Sequence, residues 1–180
     1  GEMSVRRLYS KDKQKLLEIG VLASNARINK GKVIGDTTEG ALIKAAINAG
    51  INPAQLETKY PRVTELPFTS GRKMMTIVYE DGDSYIVASK GAPEVLINKC
   101  SNLTQAQKQA ILKENDKMAK SALRVLAVAF KKVKKMDDHL EEDLEFLGLQ
   151  AMMDPPRKGV KDAINECRSA GVRVVMITGD

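Results

Sequence analysis

The run Ser84-Tyr85-Ile86-Val87-Ala88-Ser89-Lys90-Gly91-Ala92-Pro93-Glu94 starts as a strand and ends as a helix. Period-2 alternation sends Ile86, Ala88 and Lys90 to one face and Tyr85, Val87 and Ser89 to the other. Gly91 and Ala92 then leave the backbone almost bare, and Pro93 has the fixed φ that suits a first helical position. A lysine at the last strand position has two readings. By frequency it is a solvated charge at a sheet edge. Followed by Gly-Ala, it is also a cation beside open backbone, which suits a planar or phosphate-bearing ligand that approaches closely.

The flanking sequence builds a sheet around this lysine. Val63 to Phe68 and Met74 to Glu80 read as strands, and Asp81-Gly82 is a tight hairpin signal joining the second of them to the lysine strand. Phe68, Arg72, Lys73, Met75 and Lys90 therefore fall within one small antiparallel unit. Four further runs stand out along the chain: Gly35-Asp36-Thr37-Thr38-Glu39-Gly40-Ala41-Leu42, Pro67-Phe68-Thr69-Ser70-Gly71-Arg72-Lys73-Met74-Met75, Asp154-Pro155-Pro156-Arg157 and Thr178-Gly179-Asp180.

With Lys90-Gly91-Ala92-Pro93-Glu94 these make five motifs, in an order that resembles the nucleotide-binding domain of P-type cation-transporting ATPases, closest to the calcium-pump-like branch. The resemblance implies an α+β fold, an antiparallel β-sheet flanked by helices, with bound ATP and, in the full-length parent, Mg²⁺. It implies that Glu39 hydrogen-bonds the adenine amino group and that Phe68 stacks on the base, with Lys90 and Met75 forming the rest of the slot. Arg72, Lys73, Gly91 and Ala92 belong to the same implied nucleotide site, Arg124 lies near the phosphates, and Thr178, Gly179 and Asp180 come from the phosphorylation domain. The family passes the ATP γ-phosphoryl group to an aspartate in an Asp-Lys-Thr-Gly-Thr motif. That motif is absent from these 180 residues, so the chain is expected to bind nucleotide as a monomer without catalysis. The implied partners are adenine nucleotide and the phosphorylation, actuator and membrane domains of a parent pump. The parent would sit in a cell membrane with this domain on the cytoplasmic side.

Two departures from the family pattern are visible. Thr37 stands where many relatives have proline, and Gly71, where a charged residue is common, loosens the turn carrying Arg72 and Lys73. No Gly-x-x-x-x-Gly-Lys-Ser/Thr run is present, so recognition rests on the base and on scattered cations rather than on a phosphate cradle.

Composition bounds the alternatives. Hydrophobic residues make up 43% and charged residues 29%, ordinary for a globular domain. No apolar run approaches the ~18 residues a membrane span needs, and the first residues carry no signal-peptide pattern. Cys100 and Cys167 are isolated and read as reduced thiols, and His139 as an exposed bystander. The net charge of +6 raises a nucleic-acid-binding module as a rival. Its most basic run, Lys131-Lys132-Val133-Lys134-Lys135, is answered at once by Asp137, Asp138, Glu141, Glu142 and Asp143, and there is no tryptophan to stack on single strands. A phosphatase of the haloacid dehalogenase type is the other rival, with Asp81-Gly82-Asp83 as its nearest match to a nucleophile motif.

In chain order, Met3 to Tyr9 reads as an edge strand and Ser10 as the cap of a helix reaching about Ala26, with Leu16, Leu17, Gly20 and Val21 facing a sheet. Asn25, Asn29, Gly31 and Gly35 read as a loop. Asp36 to Glu39 has the spacing of a capping box opening a helix that ends at Gly50, so Glu39 has a second reading, reaching back to its own cap. Short helices follow at Pro53 and Pro93, and Thr104 to Gln107 opens a long one through a second capping box. Arg124 to Phe130 and Glu145 to Met153 read as strands; Arg124 pins a helix C-terminus or reaches a phosphate. Asp154-Pro155-Pro156 reads as a hinge. Beyond it Val160, Ala163, Ile164 and Cys167 form a helical stripe, and Val172 to Ile177 a strand of the open-parallel-sheet type. The expected division is a nucleotide-binding domain over 1–153 and a partial phosphorylation domain, haloacid dehalogenase-like, over 154–180.

Overall fold

The computed structural model describes residues 3–29, 32–156 and 158–177. In chain order the elements are β1 (Ser4–Ser10), α1 (Lys13–Leu22), β2 (Arg27–Asn29), β3 (Lys32–Ile34), α2 (Thr37–Asn48), α3 (Pro53–Lys59) and β4 (Arg62–Leu66). There follow β5 (Met74–Asp81), β6 (Ser84–Gly91), α4 (Pro93–Leu96), a 3₁₀ turn (Ile97–Lys99), α5 (Gln105–Lys120), β7 (Arg124–Val133), β8 (Glu145–Met153) and α6 (Val160–Ser169).

Six strands form one antiparallel sheet in the order β1-β8-β7-β6-β5-β4, and β2 pairs with β3 as a separate ribbon. The β5–β6 hairpin closes at Asp81↔Ser84, leaving Gly82-Asp83 as a two-residue turn in which Gly82 takes φ 61°. β6 is an interior strand, so Lys90 is not at a sheet edge. The alternation read from the sequence sorts the core into two layers. Val87, Met74, Val78, Leu149 and Ala151 lie under Leu96 of α4 and Ile111 and Met118 of α5. Ile86, Ala88, Met75, Ile77 and Val128 lie under Leu16, Ile19 and Leu22 of α1. α2 is held beside α1 through Ala46 against Leu17 and Val21.

Several boundaries differ from the sequence reading. Asp12, not Ser10, caps α1, its carboxylate accepting from Lys15 N at 3.0 Å. Ser10 is the last residue of β1, and its hydroxyl donates to the Leu147 carbonyl at 2.6 Å, so strand pairing has taken the nearer capping side chain. The helix stops at Leu22 rather than Ala26, because the Asn25 and Ala26 amides are drawn to Glu39 instead. The expected loop after it holds the β2–β3 ribbon, whose Val33 packs on α2 so closely that a Cβ at Gly40 would sit 2.4 Å from its Cγ1. β4 ends at Leu66, leaving Phe68 outside the strand. The second capping box is present with both of its hydrogen bonds, Gln107 N to Thr104 Oγ1 and Thr104 N to Gln107 Oε1. Val172 to Ile177 forms no strand; a strand needs a neighbour to pair with, and the six-stranded sheet does not extend to it. Among the described residues no helix is long and apolar enough to cross a membrane.

Candidate functional site

Lys90 is the centre of a buried cluster. Its strand partner is Met75, and its ammonium donates to Glu39 Oε1 at 2.6 Å, to the Ala23 carbonyl, to Met75 Sδ at 3.0 Å and to Ser24 Oγ at 3.4 Å. Glu39 Oε2 accepts from the Asn25 and Ala26 amides, each at 2.8 Å. The carboxylate thus holds the end of α1 and Lys90 together, rather than reaching back to the Asp36 cap. Asp36 by itself accepts from Thr38 N and Glu39 N. Burial pushes the Lys90 pKa below 10.5 while the facing Glu39 pulls the other way. A buried cation of this kind persists only when its donors are satisfied, and here they are.

The rim is built differently. β4 leaves the sheet at Leu66, opposite Thr76, so the segment 67–73 turns at the sheet end where Met74 pairs with Gly91 and Met75 with Lys90. Phe68 on that turn is 60% exposed and has no place in either core layer. Lys73 takes φ 51°, and its ammonium lies 3.8 Å from Glu94 Oε1 with both side chains more than half exposed. The Lys73 carbonyl accepts from Ala92 N at 2.9 Å, which locks the turn to the start of α4. Gly91 answers a tight strand approach: a Cβ there would lie 2.5 Å from Met74 Cβ and 2.6 Å from the Lys73 carbonyl oxygen. Arg72 donates from Nη1 to Glu141 Oε1 at 2.6 Å and from Nη2 to the Pro67 carbonyl.

Arg124 reaches neither a helix C-terminus nor open solvent alone. Its Nη1 donates to Thr38 Oγ1 at 2.9 Å, in the first turn of α2 and next to Glu39. Thr178, Gly179 and Asp180, with Arg157 of the hinge, lie outside the described residues. Sequence reading missed Asn25, Glu65 and Glu141. Asn25 Nδ2 donates to Glu65 Oε1 at 2.8 Å, tying the end of α1 across to β4. No local pattern marks such residues, since each partner is tens of positions away.

Two rival chemistries lose their residues. Asp81 sits at the β5–β6 turn with its carboxylate bonded to Lys132 Nζ at 2.6 Å. Lys131 donates to the His139 and Glu142 carbonyls, so Lys131 and Lys132 of the basic run are both engaged within the protein. Among the described residues no three His, Cys, Asp or Glu side chains come together to hold a metal ion. Two cavities are lined by neither Phe68 nor Lys90. One of about 320 Å³ runs between α1, α2 and α3, lined by Val21, Ile43, Ile47 and Tyr79; one of about 520 Å³ lies beside β1 and α5, lined by Leu8, Leu103, Ile111 and Phe146.

Residues 12–159 match the family described as the cytoplasmic domain N of P-type ATPases. The chain belongs to this family. All the buried and rim residues above fall inside the matched span, whereas 160–177 lie beyond it. The chain is similar to calcium-transporting ATPase 1 of Bacillus cereus, 44% identical over 177 residues that cover 92% of this chain and 20% of that protein. It is 40% identical over 189 residues to the calcium-transporting ATPase of Bacillus subtilis, covering 93% and 21%. A probable cation-transporting P-type ATPase of Mycoplasma genitalium is 42% identical over 170 residues, covering 88% and 18%. This domain N thus spans about a fifth of the length of the curated relatives it matches.

Proposed function

We propose that this domain N binds adenine nucleotide for a parent ATPase that couples ATP hydrolysis, through an aspartyl-phosphate, to cation transport across a membrane. The observation that carries the reading is the exposed Phe68 ring, set at the sheet end where Met75 and Lys90 pair above a fully satisfied buried floor. The ring stacks on the base, with Met75 and Lys90 completing the slot and Gly91-Ala92 giving close access. Glu39 Oε1, already bonded to Lys90, takes the adenine amino group as a second donor. Lys73 and Arg124 supply positive charge around the phosphates, Arg72 belongs to the same nucleotide site, and Thr178, Gly179 and Asp180 belong to the phosphorylation domain.

Residues 1–153 form the nucleotide-binding unit and 154–180 the start of the returning half of the phosphorylation domain. The phosphate-accepting Asp-Lys-Thr-Gly-Thr motif and the Mg²⁺ ligands belong to other parts of the parent, so this chain binds as a monomer and does not hydrolyse. The names of the relatives from Bacillus favour calcium as the transported ion. The family's description as a cytoplasmic domain favours the cytoplasmic side of a membrane pump for this unit.

Calorimetric titration of the 180-residue chain with adenosine, AMP, ATP and inorganic triphosphate tests the reading. A stacked ring with two or three polar contacts corresponds to a Kd near ~1 mM, about −4 kcal/mol. Adenosine and AMP are expected to compete with ATP at similar affinity. Equal affinity for inorganic triphosphate would overturn the proposal.

A further inference from the structure

We infer that Glu141 is a positioning residue of this site: acting through Arg72, it fixes the segment 67–73 and hence the aim of the Phe68 ring. The inference rests on the reading of Phe68 as the stacking platform, and goes beyond it in naming what holds the platform. Glu141 lies in the connection between β7 and β8, on the sheet face opposite Lys90. Its Oε1 accepts from Thr76 Oγ1 at 2.8 Å, and Thr76 in turn shares a 2.8 Å hydrogen bond with Ser89 Oγ. Both hydroxyls are buried on the α5 side of the sheet, so this carboxylate oxygen is anchored to the core.

The same oxygen accepts from Arg72 Nη1 at 2.6 Å, and Arg72 Nη2 donates to the carbonyl of Pro67, the residue before Phe68. Thr69 completes the turn: its hydroxyl accepts from Arg72 N at 3.2 Å and its carbonyl from Lys73 N at 2.7 Å. A guanidinium serves two acceptors in different directions from one rigid plane, which a lysine cannot do. Phe68 is 60% exposed and belongs to none of the core clusters, so the backbone of this turn sets where the ring sits. Arg72 is also a poor free cation for a phosphate. Its charge is already met by the Glu141 carboxylate, so a phosphate gains less from it than from an unpaired guanidinium. Arg72 and Glu141 therefore govern the adenosine end of the ligand.

The test compares wild type, Glu141→Ala, Glu141→Gln, Arg72→Gln and the Glu141→Ala/Arg72→Gln double variant. Adenosine and ATP titrations and amide exchange at Arg72 and Lys73 are measured on each. Glu141→Ala and Arg72→Gln are expected to weaken adenosine and ATP by the same factor, roughly fivefold, with the double variant no weaker than either single one. Glu141→Gln, which keeps an acceptor oxygen, recovers part of the loss. Exchange at Lys73 accelerates in the alanine variant while amides of β6 stay protected. Three results overturn the inference: ATP weakened with adenosine unchanged in Arg72→Gln, which makes Arg72 a phosphate ligand; tighter ATP binding in Glu141→Ala, which makes Glu141 a competitor; or additive losses in the double variant. If wild type binds neither ligand, the proposed function falls by itself, and the inference stands or falls on the exchange at Lys73.

Discussion

Lys90 and Phe68 serve the same end of the sheet, yet Lys90 is 6% exposed and Phe68 60%. The lysine is gripped by four acceptors, from the residues that follow α1, from α2 and from β5, whereas the phenylalanine rides on a turn closed by the Arg72 guanidinium and one tight backbone bond. The floor is therefore part of the folding core and the rim is an attachment to it. Substitutions in the floor should register first as lost stability, and those in the rim as lost binding.

The largest effect is expected from Glu39→Gln. It leaves the Lys90 ammonium buried without its counter-charge and also weakens the hold on the Asn25 and Ala26 amides. Breaking one partner of a buried pair costs about 3–5 kcal/mol. The pH dependence has a definite sign. Burial already lowers the Lys90 pKa below 10.5, so between that lowered value and 10.5 the unfolded chain binds more protons than the folded one. Stability linked to Lys90 then rises with pH across that window. Removing Glu39 lowers the folded value further and widens the window, so the deficit of Glu39→Gln should shrink as pH rises. Urea unfolding at several pH values measures this, and a deficit independent of pH would show that the charge on Lys90 is not its cause.

A middle-sized effect, of opposite kind, is expected from Phe68→Ala. Removing a stacking ring should cost ~1–3 kcal/mol of adenosine affinity, while stability changes by only about 0.5 kcal/mol. A core phenylalanine would instead cost ~3–5 kcal/mol of stability. Paired unfolding and titration curves on wild type and variant separate the two, and a large stability loss with unchanged affinity would move Phe68 from rim to floor.

The two regions were also unequally legible in the sequence. Strand alternation put Ile86, Ala88 and Lys90 on one face, and the structure keeps that assignment. The turn at Gly82, the capping box at Thr104 and the helices at Pro53 and Pro93 are local devices, readable because their partners lie within four residues. The partners of Glu39 and Arg72 were not readable for the opposite reason. Glu39 joins Lys90 across 51 positions and Arg72 joins Glu141 across 69. Nothing in a helix-capping pattern or a charge run announces such pairings; they exist only once the sheet has brought the elements together. The Ser10 cap failed on the same ground, since a long-range bond to the Leu147 carbonyl took its hydroxyl.

The smallest effect, and the finest probe of the comparison, is expected from Lys73→Gly. Lys73 holds φ 51°, a left-handed conformation in which a side-chain-bearing residue is strained by ~1 kcal/mol or more. A glycine adopts it freely but loses more entropy on folding, so the net gain in stability should stay below ~1 kcal/mol. The exposed contact with Glu94 adds little to set against it. A lysine kept in such a conformation points to a task for its cation at the mouth of the turn, beside Ala92 and the start of α4. Lys73→Gly should therefore leave the chain as stable as wild type or slightly more so, leave adenosine affinity unchanged and weaken ATP by about two- to threefold, the size of one screened charge contact. Thermal unfolding read beside the two titrations decides it. If adenosine weakens as much as ATP, Lys73 acts through the backbone of the turn, and its cation has no part in the rim.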